Sequence, residues 1–286
     1  MKTSTFISAL IAMSVAAVSC NKDFETRSVP SSHDPHMPRE IQFTAGGHDL
    51  ELQTRAVSEI TNMSGFYAMA TTGTSGSESL AWSQFVGGSG IPGAVYSTGK
   101  YWPSTDPGYH FYASILEMEF GTSGATVTAN GKADAICAYL ETPTYNDNNH
   151  LTFEHIFGRV GNFELVMTAD GYTLSGVNAR ISNGVKSGTY NLRTKAWSGC
   201  SAAESVPVTV GKNDYLLVPG TYTLAVTFTL TKGDYVSTFT KTATLMLDPG
   251  KITNITAKIV DDPAVQIQFT YTINAWESRN VNLTVE

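Results

Sequence analysis

The strongest constraint on this chain is alternation. From Tyr222 to Thr231, the residues Tyr222, Leu224, Val226, Phe228 and Leu230 all fall on one face of an extended chain, and the opposite face is mostly threonine. A period of two sends successive side chains to opposite faces, so the stretch reads as a strand with one buried side. Lys232-Gly-Asp234 then turns the chain into a second such run from Tyr235 to Leu247. Glycine supplies the positive φ that a tight turn demands, so the two runs predict a hairpin. Further on, a strand passes through Ile255, Ala257 and Ile259. Val265, Ile267, Phe269, Tyr271, Ile273 and Ala275 then alternate without a fault, and Val281, Leu283 and Val285 close the chain. No amphipathic stretch of helical length competes with this pattern.

The first half repeats the theme less regularly. Ile41, Phe43 and Ala45 alternate, Gly46-Gly47 turns the chain, and Leu50 and Leu52 resume the pattern. Gly65 to Ala70 reads as a short strand. Residues 71–99 read as Gly/Ser/Thr-rich loops around one or two short strands, with Trp82 and Phe85 among them. Tyr109, Phe111 and Ala113 face one way, and Ala135, Cys137 and Tyr139 alternate later. Tyr145 to Asn149 are polar turn-formers with no apolar anchor, which suits a domain linker. Leu151, Phe153 and His155 then open the second half. Strands with one apolar and one polar face bury themselves as sheets packed face to face. The expected fold is all-β, with two β-sandwiches in series over residues 39–146 and 147–286.

The amino terminus is of another kind. Lys2 precedes an apolar or small run from Phe6 to Val18, too short for the roughly 20 residues that span a bilayer. It has the length and flanks of a signal segment. Ala17-Val-Ser-Cys20 resembles a bacterial lipobox, in which small residues admit the chain to a peptidase and the thiol takes a lipid. Residues 1–19 are therefore expected to be a lipoprotein signal peptide and Cys20 the lipidated residue. The other reading is an ordinary secretory signal cut near Ala17. Residues 20–38 are polar, carry Pro30, Pro35 and Pro38, and read as a disordered tether.

Composition narrows the function. Charged residues make up 15%, the net charge is −7, and no basic block exists. Binding of nucleic acid is therefore not expected. Besides Cys20 there are only Cys137 and Cys200. An exported chain could pair them, but both read better as small buried residues. No CxxC or HxxxH spacing marks a zinc site, and His33 and His36 lack a third ligand, so no metal or cofactor is expected. His110 lies near Asp106 and His155 follows Glu154, yet no nucleophile elbow accompanies them. His155 reads as a satisfied hydrogen-bonding residue near the domain junction, and the chain does not read as an enzyme. Trp102 and Trp276 read as core. Trp82 and Trp197 lie in loops and are open to a role in stacking on sugars.

Several short motifs, taken in order, resemble one family. They are the lipobox and tether, Ile41-Gln-Phe43, Thr54-Arg-Ala56, Tyr101-Trp-Pro103, His110-Phe-Tyr-Ala113, Leu151-Thr-Phe-Glu-His155, Arg159-Val160 and the late Trp276. Together they resemble the fimbrillin-like lipoproteins, the subunits of type V pili of Bacteroidia. The resemblance implies two transthyretin-like β-sandwich domains and a precursor carried to the outer membrane by its lipid. It implies a fimbrial shaft, tip or accessory subunit at the cell surface, engaged in adhesion, with other pilin subunits as partners and a host or bacterial surface ligand as a further one. It also implies a trypsin-like, arginine-specific protease that cuts after the first strand, so that a neighbour's strand fills the vacated groove. Arg55, just beyond that strand, is the candidate cleavage site; its other reading is a surface arginine without a role. Cutting at Arg27 or Arg39, which precede the strand, would shed the lipid and leave the sandwich closed. Val265–Ala275 and Val281–Val285 are the candidate donated strands. The alternative is a surface carbohydrate-binding lipoprotein built on the same sandwiches.

Overall fold

The computed structural model describes residues 39–47, 65–74, 77–88, 94–103, 108–142, 149–260, 266–275 and 281–285. The expected signal peptide and tether, with Cys20, lie outside the described residues, as do Arg55 and Trp276. The described residues form strands and no helix.

The first eight strands are β1 (Glu40–Gly47), β2 (Gly65–Thr72), β3 (Ser79–Gly87), β4 (Val95–Tyr101), β5 (Tyr109–Ser114), β6 (Thr126–Ala129), β7 (Ile136–Thr142) and β8 (Asn149–His155). Seven of them form one sheet in the order β3-β2-β5-β7-β8-β1-β4. Among the described residues, the β7–β8 ladder pairs Ile136↔His155 and Cys137↔Glu154, and the Ile156 amide adds a bond to the Ala135 carbonyl at 3.1 Å. This narrow joint lets the sheet fold over, and its two parts share one core. Ile41, Phe43, Tyr96, Leu151 and Phe153 on one part meet Phe66, Ala68, Val86 and Phe111 on the other. Phe43 packs edge-on against Phe111 at 4.9 Å, and Phe66 against Phe153 at 5.5 Å. The far ends also approach, since Gln84 Nε2 on β3 donates to the Thr98 carbonyl on β4 at 2.7 Å. The polar run read as a domain linker leads into β8, and β8 pairs with β7 and β1 in this first sheet. Leu151 and Phe153 are the reason: both side chains are fully buried in the first core.

The remaining strands are β9 (Gly158–Met167), β10 (Thr173–Gly184), β11 (Gly188–Asn191), β12 (Ala196–Ser198), β13 (Glu204–Val208), β14 (Gly211–Leu217), β15 (Gly220–Lys232), β16 (Tyr235–Leu247), β17 (Lys251–Val260), β18 (Gln266–Ala275) and β19 (Val281–Val285). A four-stranded sheet, β13-β10-β15-β16, shares a core with a five-stranded one, β14-β9-β17-β18-β19. Leu224, Val226, Phe228 and Leu230 of β15 are wholly buried there, as their alternation requires. Each such side chain contributes about 1.5–3 kcal/mol relative to exposure. The Gly233 turn has φ of +59°, and β15 pairs with β16 over its whole length.

A small third sheet, β12-β11-β6, joins strands from both halves. Val127, Tyr190, Leu192, Phe157 and Val218 pack with Tyr112 and Cys137, on the face of β5 and β7 that points away from the first core. Every residue of β5 is consequently buried. Burial holds Cys137 as a thiol, with its pKa pushed up to about 12. Cys200 is exposed and both cysteines are free, which corrects the expectation that both are buried. Cys200 follows β12 in an irregular segment, where no alternation fixes an inward face.

Across this joint runs a polar cluster. Arg193, in the turn after β11, donates to the carboxylate of Glu78 and to the hydroxyls of Tyr112 and Tyr139. The Glu78 side chain is fully buried. His110 is held between the Tyr139 hydroxyl and the Gly73 carbonyl, each at 3.1 Å. His155 binds Asp134 at 2.6 Å beside the joint, the satisfied partner expected of it.

Candidate assembly site

β1 is not an edge strand. It lies between β8, which runs parallel to it, and β4, which runs antiparallel. Its alternation sets the division of labour. Ile41 and Phe43 are fully buried in the first core with Ala45 packed against it, while Glu40, Gln42 and Thr44 face the other way. Withdrawing β1 would thus leave an apolar slot flanked by two unpaired strand edges, an arrangement that a replacement strand satisfies in one step.

The slot holds β1 largely by its backbone. Thr98 Oγ1, buried on β4, donates to the Ile41 carbonyl at 2.6 Å. Asn149 Nδ2, buried on β8, donates to the Gln42 carbonyl at 2.9 Å. The Trp102 amide donates to the Arg39 carbonyl at 2.8 Å. Carbonyls are common to any strand, so these contacts fix register without reading sequence. On the core face, the side-chain requirement is an apolar residue at every second position.

Two side-chain contacts are specific to β1: Thr44 Oγ1 lies 2.9 Å from His150 Nδ1 on β8, and Glu40 is held on β4. The Glu40 carboxylate accepts hydrogen bonds from Ser97 Oγ and, at 2.7 Å, from the Gly99 amide. The Ser97 hydroxyl first, and then that amide, hold its carboxyl below the ordinary carboxylate value. A lowered folded pKa means that this contribution is complete above the ordinary carboxylate range and is lost as pH falls through the lowered value. Glu40→Gln is therefore expected to cost under about 1 kcal/mol near neutral pH, because the group is exposed. Urea titrations across pH should show variant and parent converging in acid.

The chain leaves β1 at Gly47 and enters β2 at Gly65, on the other part of the folded sheet. Arg55 falls between the two. A cut there leaves β1 joined to the rest of the fold only through noncovalent contacts. At the opposite end of the chain, β19 pairs with β18 as the last strand of the five-stranded sheet.

The tryptophans considered for sugar binding lie in strands, not loops. Trp82 is half-buried in β3 and leans on Phe111 at 6.1 Å. Trp197 is half-buried in β12 between Phe157 and Tyr190, each at 5.1 Å. Among the described residues, no three His, Cys, Asp or Glu side chains gather as a metal site.

The fimbrillin-like sequence profile matches residues 54–276, more than three quarters of the chain. The chain belongs to the fimbrillin-like family. The matched span of this fimbrillin-like chain leaves out β1 and β19. Its fold is shared by a candidate adhesin from Bacteroides ovatus, at 9% identity and a TM-score of 0.51, covering 90% of this chain and 98% of that one. A fimbrial assembly protein from Parabacteroides distasonis is similar at 10% identity and a TM-score of 0.48, over 87% of this chain and 99% of that one. The tip fimbrial protein Mfa3 from Porphyromonas gingivalis, with a C-terminal truncation, is similar at 10% identity and a TM-score of 0.42, over 83% and 99%. No curated protein sequence matches the chain.

Proposed function

We propose that this fimbrillin-like chain is a structural, non-enzymatic subunit of a cell-surface fimbria that assembles by strand exchange. In this reading the chain is exported as a lipoprotein, held at the outer membrane through Cys20, and cut after Arg55. The released piece carries both the lipid and β1. A strand from a neighbouring subunit then enters between β4 and β8. The two-sandwich organisation is kept, with β8 assigned to the first sandwich.

The observation that carries this reading is the position of β1. It fills the middle of a core with Ile41 and Phe43, yet one cut at Arg55 would detach it. Family membership supports the fimbrial setting, and the spacing of Val281, Leu283 and Val285 supports the C-terminal segment as donor. Those residues repeat the every-second-residue apolar pattern of Ile41, Phe43 and Ala45. The carbohydrate-binding alternative needs exposed aromatic platforms, and Trp82 and Trp197 lean on core rings instead.

Cells expressing this chain test the scheme. Cys20→Ala is expected to abolish incorporation of labelled fatty acid and to remove the chain from outer-membrane fractions. Arg55→Ala is expected to retain the lipid and remain an unpolymerised precursor. Polymer formation by Arg55→Ala at the parental level would refute processing at that residue.

A further inference from the structure

Among the described residues, no strand pairs with the outer edge of β16. β16 ends the order β13-β10-β15-β16, is 13 residues long, and pairs with β15 without a bulge from Gly220↔Leu247 to Lys232↔Tyr235. The two-residue loop Gly233-Asp234 closes the hairpin on Lys232↔Tyr235, which is therefore a hydrogen-bonded pair. Counting in twos, Tyr235, Ser237, Phe239, Lys241, Ala243, Leu245 and Leu247 direct their backbone groups to β15. Val236, Thr238, Thr240, Thr242 and Thr244 direct theirs away from the sheet; the Met246 carbonyl, which also points outward, already accepts from Thr253 Oγ1 at 3.3 Å. A long, unbulged row of outward backbone groups is a template for a strand of another chain. The side chains favour pairing too: Tyr235, Val236 and Met246 are 52%, 64% and 52% exposed, and threonine suits a strand.

One residue breaks this invitation. The core-facing side of β16 runs Phe239, Lys241, Ala243, Leu245. Phe239 stacks on Phe228 at 5.6 Å, and Phe239 and Ala243 pack against the second core. Lys241 stands between them, opposite the wholly buried Val226, and is itself exposed. Its stem starts over the rim of the core, and its exposure leaves the ammonium in water. A strand added to β16 would displace that water and press an ammonium against Phe239, Val226 and Ala243, a strongly unfavourable burial for a charge without a counterion.

We propose that Lys241 guards the β16 edge, preventing a second copy of this chain from adding a strand there. The guard acts on any two copies that meet and does not depend on processing at Arg55. In a chain that pairs with its neighbours through strands, it would confine that pairing to other sites.

The test uses the full chain carrying Cys20→Ser, sized by light scattering over a concentration series. The parent and Lys241→Glu are expected to stay monomeric, because a charge of either sign protects the edge. Lys241→Val is expected to form dimers or larger species at concentrations where the parent is monomeric, with undiminished thermal stability. Adding Thr240→Pro to Lys241→Val should restore the monomer, since Thr240 directs its amide outward and proline removes it without breaking a backbone bond to β15, losing only the hydroxyl contact with Thr227. The proposal is overturned if Lys241→Val matches the parent throughout, if its oligomers persist with Thr240→Pro, or if the parent already pairs through β16.

Discussion

Phe43→Ala is expected to destabilise the chain by about 3–5 kcal/mol, the range for truncating a fully buried phenylalanine. The melting temperature should fall by on the order of 10 °C. Phe43 is 1% exposed, contacts Phe111 at 4.9 Å and Phe66 at 6.0 Å, and lies near the middle of β1. Its loss leaves a cavity that the aromatic walls cannot readily close. The site also makes the variant diagnostic. β1 should now leave its slot more easily, so hydrogen exchange at β4 and β8 should rise more than at β15 and β17. Uniform loss of protection across both cores would show that β1 does not open separately.

Arg193→Leu has the second largest expected effect, a loss of about 3 kcal/mol. The substitution leaves the Glu78 carboxylate buried without its counterion and takes a donor from the Tyr112 and Tyr139 hydroxyls. The penalty comes from the orphaned charge more than from the lost attraction, so Glu78→Gln added to Arg193→Leu should recover a large part of it. A double-mutant cycle by urea unfolding measures that recovery. Additive losses would mean that the two residues do not act as a pair. Because Arg193 follows β11 while Glu78 precedes β3, breaking the pair should also loosen the β11–β12 hairpin from the first half.

Legibility in the sequence followed the number of buried faces. β15, β17 and β18 are readable because each alternates an apolar face with a polar one, and β16 follows from the turn at Gly233. β5 was half-readable: Tyr109, Phe111 and Ala113 announced one buried face, but His110, Tyr112 and Ser114 are buried as well, under a small sheet built partly from the other half of the chain. β6, β11 and β12 are too short to establish a period. Trp82 and Trp197 read as loop residues because the glycines and serines around them mask two edge strands. At the candidate site, the alternation of Ile41 and Phe43 marked them as core. The insertion of β1 between β4 and β8 was not legible, because strand neighbours are chosen by contacts distant in sequence. The Thr98 and Asn149 contacts to β1 carbonyls, and the Arg193–Glu78 pair, were missed for the same reason.

Strand exchange requires that β1 detach and that its slot accept another strand. The most direct measurement is digestion of the purified full chain with an arginine-specific protease, with and without a synthetic peptide spanning Glu40–Gly47. Sequencing of the product identifies the cut, and light scattering follows assembly. The expected result is a new amino terminus at Ala56, loss of the β1 fragment, growth of ladders, and suppression of that growth by the peptide as it refills the slot. A cleaved chain that stays monomeric, or ladders that grow equally with the peptide or in Arg55→Ala, would contradict it.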